Sequence, residues 1–259
     1  MDKQSTQWHQ LPVLVMLTIT GMGHFAISAD EKQEAPKAFP PEVVKAWKDA
    51  SVRDVGWMRD LPPQSEGSYE FWDPWCEKSV AGAIPAFKLS FGKDGELAKL
   101  PDPSVPFGLD FHCCAVKGPE LKELAHLKNL HSLNIGASLL LNDEGLKEVS
   151  ALKNLRGLYI FYAPVTDKGL KALTALAELR ALDLSHTQVK GEGLRELVGL
   201  KNLQALNLSY TEVSDAGLKE LAGIKNLRWL SLHRARVTPA GVAVLQKDLP
   251  KCKIMFRED

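Results

Sequence analysis

The sequence lacks an excess of either charge: 32 Lys and Arg residues stand against 32 Asp and Glu residues. That balance is unlike the basic surplus of a nucleic-acid-binding domain and unlike the acidic bias of a solvated, disordered tail. Nucleic acid is therefore not expected as a partner. Beyond residue 30 there is no apolar run long enough to span a membrane. Common active-site signatures are missing too: no phosphate-binding loop, dinucleotide-binding glycine pattern, G-x-S-x-G elbow or H-E-x-x-H occurs. Cysteine is scarce, four in 259 residues, and no C-x-x-C-H haem site is present. No cofactor, metal or catalytic residue is expected, and the chain reads as a non-enzyme. The remaining composition, 45% apolar and 25% charged, is that of an ordinary soluble globular protein.

The one long apolar stretch is Leu11 to Ile27. It follows a short n-region holding Lys3 and precedes the small residues Ala26, Ser28 and Ala29 and the charged run Asp30-Glu31-Lys32. That layout is a secretory signal peptide over residues 1–29, cleaved after Ser28 or Ala29, which places the mature chain in the periplasm or outside the cell. An uncleaved anchor is the alternative, but seventeen residues with an internal His24 are short for a span.

One segment recurs. LKNLHSLNI starts at Leu127, LKNLRGLYI at Leu152, LAELRALDL at Leu176, LKNLQALNL at Leu200 and IKNLRWLSL at Ile224, spaced by 25, 24, 24 and 24 residues. The longer first interval carries one extra residue within Ser138 to Leu141. A diverged copy from Gly108 precedes them and a partial copy closes the chain. The alternating L-x-L piece predicts a short strand with one buried face. The following G-L-x-x-L has helical spacing. Asn142, Thr166, Ser214 and Thr238 stand as N-caps before it in four of six copies, and Pro239 suits a first helical position. Asp143, Asp167 and Asp215 are expected to favour the helix dipole. The Asn of each K-N pair (Asn129, Asn154, Asn202, Asn226) is expected to stop the preceding helix in left-handed geometry. A single copy cannot bury its apolar face alone, so the copies must stack.

This pattern resembles the leucine-rich repeats of exported bacterial proteins, of the ribonuclease-inhibitor-like kind with repeats of about 24 residues. The stretch from Leu203 to Leu221 fits L-x-x-L-x-L-x-x-T-x-V-T-D-x-G-L-x-x-L almost fully. The resemblance implies an α/β solenoid, a parallel sheet on its concave face and helices on its convex face, over residues 87–259 with a C-terminal cap. It also implies binding rather than catalysis. Residues 30–86 are expected to form a linker and N-terminal cap, with a helix over Pro41 to Ala50, a strand near Val55 to Met58 and a first sheet strand at Phe87-x-Leu89-x-Phe91.

Cys252 lies about 29 Å from Cys113 and Cys114 at normal strand spacing, too far for a disulfide, and is expected as a buried thiol. Cys76 could pair with Cys113 or Cys114, Cys113 being preferred because Cys114 falls in an inward column.

The positions between the leucines face the concave sheet. Tyr159, Phe161 and Tyr162 form an aromatic cluster there, continued by His186 and Tyr210, with Trp229 and His233 further along and Arg156, Arg180 and Arg228 as a basic edge. Exposed aromatics and arginines are the residues of interaction hot spots. The expectation is a monomeric module of the cell envelope that binds a protein or peptide on this face. Envelope glycan stacked on the rings is the alternative, as is a structural component whose aromatics pack only on each other.

Overall fold

A computed structural model describes residues 38–48, 52–59, 75–76, 83–89 and 97–257. The expected signal peptide and most of the linker lie outside these residues. The chain order is α1 (Pro41–Lys48), β1 (Val52–Arg59), β2 (Trp75–Cys76), β3 (Ala83–Leu89), β4 (Phe107–Asp110), β5 (Leu130–Asn134), α2 (Asp143–Val149), β6 (Gly157–Tyr159), α3 (Leu170–Leu173), β7 (Ala181–Asp183), β8 (Ala205–Asn207), α4 (Asp215–Glu220), β9 (Trp229–Ser231), α5 (Pro239–Asp248) and β10 (Lys253–Met255). The strands form one sheet in the order β10-β9-β8-β7-β6-β5-β4-β3-β1-β2.

From β3 to β10 every pairing is parallel. Leu133, Leu158, Leu182, Leu206 and Leu230 are matched residue for residue. All five are buried. This is the leucine-rich repeat solenoid, and coils one to six are numbered here from the coil that begins with β4.

The convex side follows the local sequence closely. The four coils with an expected cap residue contain the α-helices α2 to α5, but only Asn142 and Thr238 make a side-chain cap bond: Ser214 stands at the N-cap of α4 without one, and α3 starts three residues later than expected, with Gly169 at its N-cap instead of Thr166. Asn142 accepts from the backbone N–H of Glu144 and Gly145, and Thr238 accepts from Gly241. In the two coils without one, Lys117 and Lys190 stand at the cap position, Gly118 and Gly191 follow them, and the chain winds as 3-10 turns, Pro119–His126 and Glu192–Gly199. Neither lysine side chain has an oxygen to accept the first N–H groups as a cap does.

Two expectations about polar residues are corrected. Asp143, Asp167 and Asp215 do more than sit near a helix N-terminus: each accepts from the following coil. Asp143 binds the N–H and Oγ–H of Thr166 at 2.8 and 2.6 Å, and Asp215 does the same with Thr238. Asp167 accepts from the N–H groups of Lys190, Gly191 and Gly193. The Asn side chains likewise reach backward across a coil. Asn154, Asn202 and Asn226 donate to the carbonyls of Lys128, Ala177 and Lys201 at 2.7–2.9 Å. None of them adopts positive φ. Where the Asp is replaced by Gly118 or Gly191, the link is backbone on backbone: Gly118 packs against Gly145 and Gly191 against Gly217.

The N-terminal end is closed by an aromatic sandwich. Phe87 of β3 lies between Phe39 and Trp47 of α1, with ring centroids at 4.1 and 4.2 Å and planes within 7° and 3° of parallel. Trp47 is fully buried and donates its indole N–H to the Pro101 carbonyl at 3.0 Å. The cap strands differ from a simple continuation of the solenoid. The first parallel strand begins at Ala83, before Phe87, while β1 runs antiparallel to β3 and β2 antiparallel to β1. Phe91 lies outside the described residues.

The glycine contacts generate a paired test. Gly191 has φ of 122°, and a Cβ there would meet Gly217 Cα at 2.6 Å; a Cβ on Gly199 meets nothing within 4 Å. Gly191→Ala is expected to cost about 2 kcal/mol or more of unfolding free energy. Gly199→Ala should stay within about 1 kcal/mol of the native chain, on the stabilising side. Urea unfolding followed by circular dichroism compares the two; equal values would refute the backbone-contact account.

Candidate functional surface

Four of the six strands β4 to β9 end in a side-chain turn. The first oxygen of Asp110, Asn134, Asp183 or Asn207 accepts the N–H two residues on, from His112, Gly136, Ser185 and Ser209, at 2.7–3.0 Å. This turns the chain out of the sheet. Three residues after these positions, and after Tyr159 and Ser231 in the same column, φ becomes positive. Cys113, Ala137, Tyr162, His186, Tyr210 and Arg234 all lie at 54–60°. Left-handed geometry is costly for any residue with a Cβ, and here it recurs on six successive coils.

That geometry lifts the column onto the flank of the sheet, where its planar members stack. Tyr162 lies 3.8 Å from His186, centroid to centroid, and His186 lies 4.1 Å from Tyr210, with planes 19° and 12° apart. The Arg234 guanidinium carbon sits 5.6 Å from the Tyr210 centroid, a cation–π contact. Tyr162 is 43% exposed, Arg234 is exposed, and His186 and Tyr210 are half-buried. Burial holds the His186 imidazole below its usual pKa.

The other expected residues separate from this line. Tyr159 is fully buried and Phe161 is 2% exposed, so neither is presented to a partner, contrary to expectation. Glycines explain it. The Tyr159 ring lies over Gly157, its hydroxyl oxygen 3.1 Å from where a Cβ would stand, and the Phe161 ring occupies the space a side chain on Gly136 would need. Both rings lie flat along the sheet and join Met58, Ala86, Ala181 and Ala205 in a small second core, against which half-buried Trp229 packs. His233 is 6% exposed, lies edge-on to Tyr210 at 5.4 Å, and its Nε2 has no hydrogen-bond partner.

The basic column is half-buried. Arg228 donates to the carbonyls of Lys225 and Leu227. Burial, with Arg156 and Arg180 alongside, lowers the pKa of His131 to about 4. Deeper in the sheet, Asp183 is a buried carboxylate whose second oxygen accepts from Asn207 Nδ2 at 3.0 Å; burial pushes its pKa up to about 6 despite that bond.

Cys113 and Cys114 are free thiols, which corrects the expected Cys76–Cys113 bridge. The topology gives the reason: β2, which holds Cys76, is separated from β4 by β1 and β3. Three strand spacings are about 14 Å, twice the Cα separation a disulfide tolerates. The side chain of Cys76 is outside the described residues, as is Trp72. Cys114 points inward and its thiol meets the Leu89 carbonyl at 3.4 Å. Cys252 is a buried free thiol, its pKa pushed up to about 12 by burial. Among the described residues no group of three or more His, Cys, Asp or Glu side chains is placed to hold a metal.

Two measurements follow from this geometry. Asn207→Asp preserves the acceptor for the Ser209 N–H but sets a second carboxylate beside Asp183. Both groups would then have folded pKa values above the unfolded value near 3.9. Their stability contribution is intact below that value and is lost as pH rises through the folded values. The variant should therefore lose about 2–4 kcal/mol at pH 8, much less at pH 4.5, and a pH-independent loss would refute the carboxylate pairing. For the thiols, Cys113 is exposed, whereas Cys114 and Cys252 are buried. A thiol reagent should label Cys113 in the folded chain and reach the other two after denaturation; mass spectrometry of the labelled peptides reads the order.

Residues 178–198 and 199–222 match the family described as Leucine Rich repeat. No curated protein sequence matches the chain. Among solved structures, an internalin C2 from Listeria monocytogenes is similar, with a TM-score of 0.50 and 20% identity over 65% of this chain and 67% of that one. A second Listeria monocytogenes internalin has a TM-score of 0.47 and 21% identity over 64% of this chain and 51% of its own. A leucine-rich repeat protein of Leptospira interrogans has a TM-score of 0.45 and 27% identity, covering 62% and 45%. At 20% identity the first likeness is one of fold, and it agrees with the parallel sheet and the repeating coils described above.

Proposed function

We propose that this protein is an exported, non-enzymatic module of the cell envelope that binds a protein or peptide. The contact line runs along Tyr162, His186 and Tyr210, with Arg156, Arg180 and Arg228 supplying long-range attraction for an acidic approach. One observation carries the reading: a bulky aromatic side chain, Tyr162, is 43% exposed and already fixed against its neighbour at 3.8 Å. Rings held by stacking have little rotamer freedom left to lose, so contact with them costs little entropy. Aromatic anchors of this kind dominate protein interfaces.

The stack also weighs between the alternatives. A sugar needs an open ring face, and both faces of His186 are covered by tyrosines. Tyr210 has His186 on one face and Arg234 near its ring. Between Tyr162 and Arg234 the ladder thus offers ring edges, which favours side-chain contacts over glycan stacking along that length. A purely structural role accounts for Tyr159 and Phe161, which are buried, but leaves the exposure of Tyr162 without a purpose.

Affinity capture from an envelope extract, using the native chain and a Tyr162→Ala/Tyr210→Ala variant, tests the reading. The native chain should retain a partner that the variant binds at least about tenfold more weakly, a loss of about 1.4 kcal/mol. The variant's thermal unfolding should show that the solenoid persists. If every captured protein is retained equally by the variant, the contact line lies elsewhere.

A further inference from the structure

The ladder is incomplete at one end. Its planar members occupy the left-handed column on coils three to six, but coil two carries Ala137 there. Tyr162 meets His186 face to face and Phe161 edge-on at 6.3 Å; its other face looks toward coil two, where the column side chain is a single methyl group. The same coil contains the extra residue, and Leu139 and Leu140 stand 75% and 50% exposed. With Tyr162 they are three of the four most exposed large apolar side chains among the described residues. Leu139 and Leu140 follow Ala137 by two and three residues on the coil that precedes Tyr162's.

Charge divides the strip. Residues 137–141 and 162–166 contain no charged side chain. The equivalent segments of coils four to six, 186–190, 210–214 and 234–238, contain Lys190, Glu212, Arg234 and Arg236. Lys190 and Arg236 share Glu212 at 3.8 and 3.4 Å. Within these segments three cations stand against one carboxylate, and Arg234 has a further partner beyond them.

We infer that the strip takes an extended peptide segment whose aromatic side chain stacks on the open face of Tyr162 above Ala137, and whose carboxylate reaches the basic half. This rests on the reading of the ladder as a protein contact and names what the partner presents. An incoming ring continues a series already spaced at ring thickness, with Leu139 and Leu140 covering its edge. The incoming ring sits at the level of Ala137, four strand spacings from Arg234, about 19 Å. An extended chain advances about 3.3 Å per residue, so the aromatic and acidic residues stand about six positions apart.

Selection of random twelve-residue peptides displayed on phage, against the purified full chain, tests this. Enriched peptides should share an aromatic and an acidic residue about five to seven positions apart. Their synthetic versions should bind Ala137→Phe at least tenfold more weakly, because the introduced ring fills the place above Tyr162. Phe at a φ of 55° repeats what Tyr162 itself does at 54°. Should Ala137→Phe fold poorly, Tyr162→Leu keeps the bulk, removes the ring face and should give the same loss. Arg234→Glu/Arg236→Glu should weaken binding and flatten its salt dependence. Failure to enrich any sequence, or enrichment of peptides without the pair, overturns the proposal. Peptides that ignore Ala137→Phe but depend on Tyr162 and Tyr210 overturn this stacking position and leave the protein-binding reading standing. Peptides indifferent to all of these substitutions overturn both.

Discussion

The parallel register holds every other feature in place. Leu133, Leu158, Leu182, Leu206 and Leu230 pair with one another and with no other residue of their neighbours. Because strand side chains alternate, a slip of one residue would carry the whole leucine row to the wrong face. Fixing that row fixes the columns on both sides of it. A position in one coil then stands one strand spacing from its counterpart in the next. The aspartate ties on the convex loops, the asparagine bonds to the preceding coil and the stacked rings on the flank are three uses of the same alignment. Each needs chemically suitable residues at matching positions in adjacent coils, and nothing more.

The flank column shows what such alignment can carry at a cost. Gly, Asn or Asp would sit at positive φ with least strain, yet the column has Cys113, Ala137, Tyr162, His186, Tyr210 and Arg234. The turn that forces this geometry comes from the polar residue three positions earlier, which takes an N–H at the strand end in coils one, two, four and five. Coil three has Tyr159 at that place and coil six has Ser231, and both still reach the same φ. The neighbouring coils impose the conformation through bonds such as that from the Tyr162 N–H to the Ser185 carbonyl at 3.1 Å. Bulky residues in a strained, partly exposed line are a weak choice for stability alone.

Much of this was legible before the structure. The recurrence of L-x-x-L-x-L gave the strands and their stacking, and the four cap residues marked the four coils that wind as α-helices. Cys114 and Cys252 fell in inward columns and are buried. What escaped was the depth of side chains on the concave face. Tyr159 and Phe161 look outward by periodicity, and periodicity says nothing about a ring folding flat along its sheet. The available signal was in two glycines, Gly157 on the same strand as Tyr159 and Gly136 one coil before Phe161, whose missing side chains make the room. The aspartates have a second role that escaped for a related reason: Asp143 and Asp215 do sit in a first helical turn, but helix N-terminus logic is local, whereas the hydrogen-bond partners of Asp143, Asp167 and Asp215 lie 23 to 26 residues downstream. The cap was the least legible part, since antiparallel pairing of β1 and β2 has no repeat to announce it.

The one-residue insertion brings these strands together. A coil of 24 residues is set by the spacing of its fixed points, and a twenty-fifth residue cannot enter the strand or the leucine row without breaking register. It can be absorbed in the loop, and the structure shows how: Ser138 donates to the Cys114 carbonyl at 2.7 Å, Leu141 returns to the core fully buried, and Leu139 and Leu140 are pushed into solvent. Apolar exposure of that kind weakens solubility and adds nothing to folding. It occurs on the coil whose column residue shrinks to Ala137, beside the exposed face of Tyr162. Loss of a side chain in the column and gain of two apolar ones in the adjoining loop are separate sequence events, and both leave the same place open and greasy. A solenoid that only needed to stand would gain from neither; one that grips an apolar side chain at the end of a stacked row needs both.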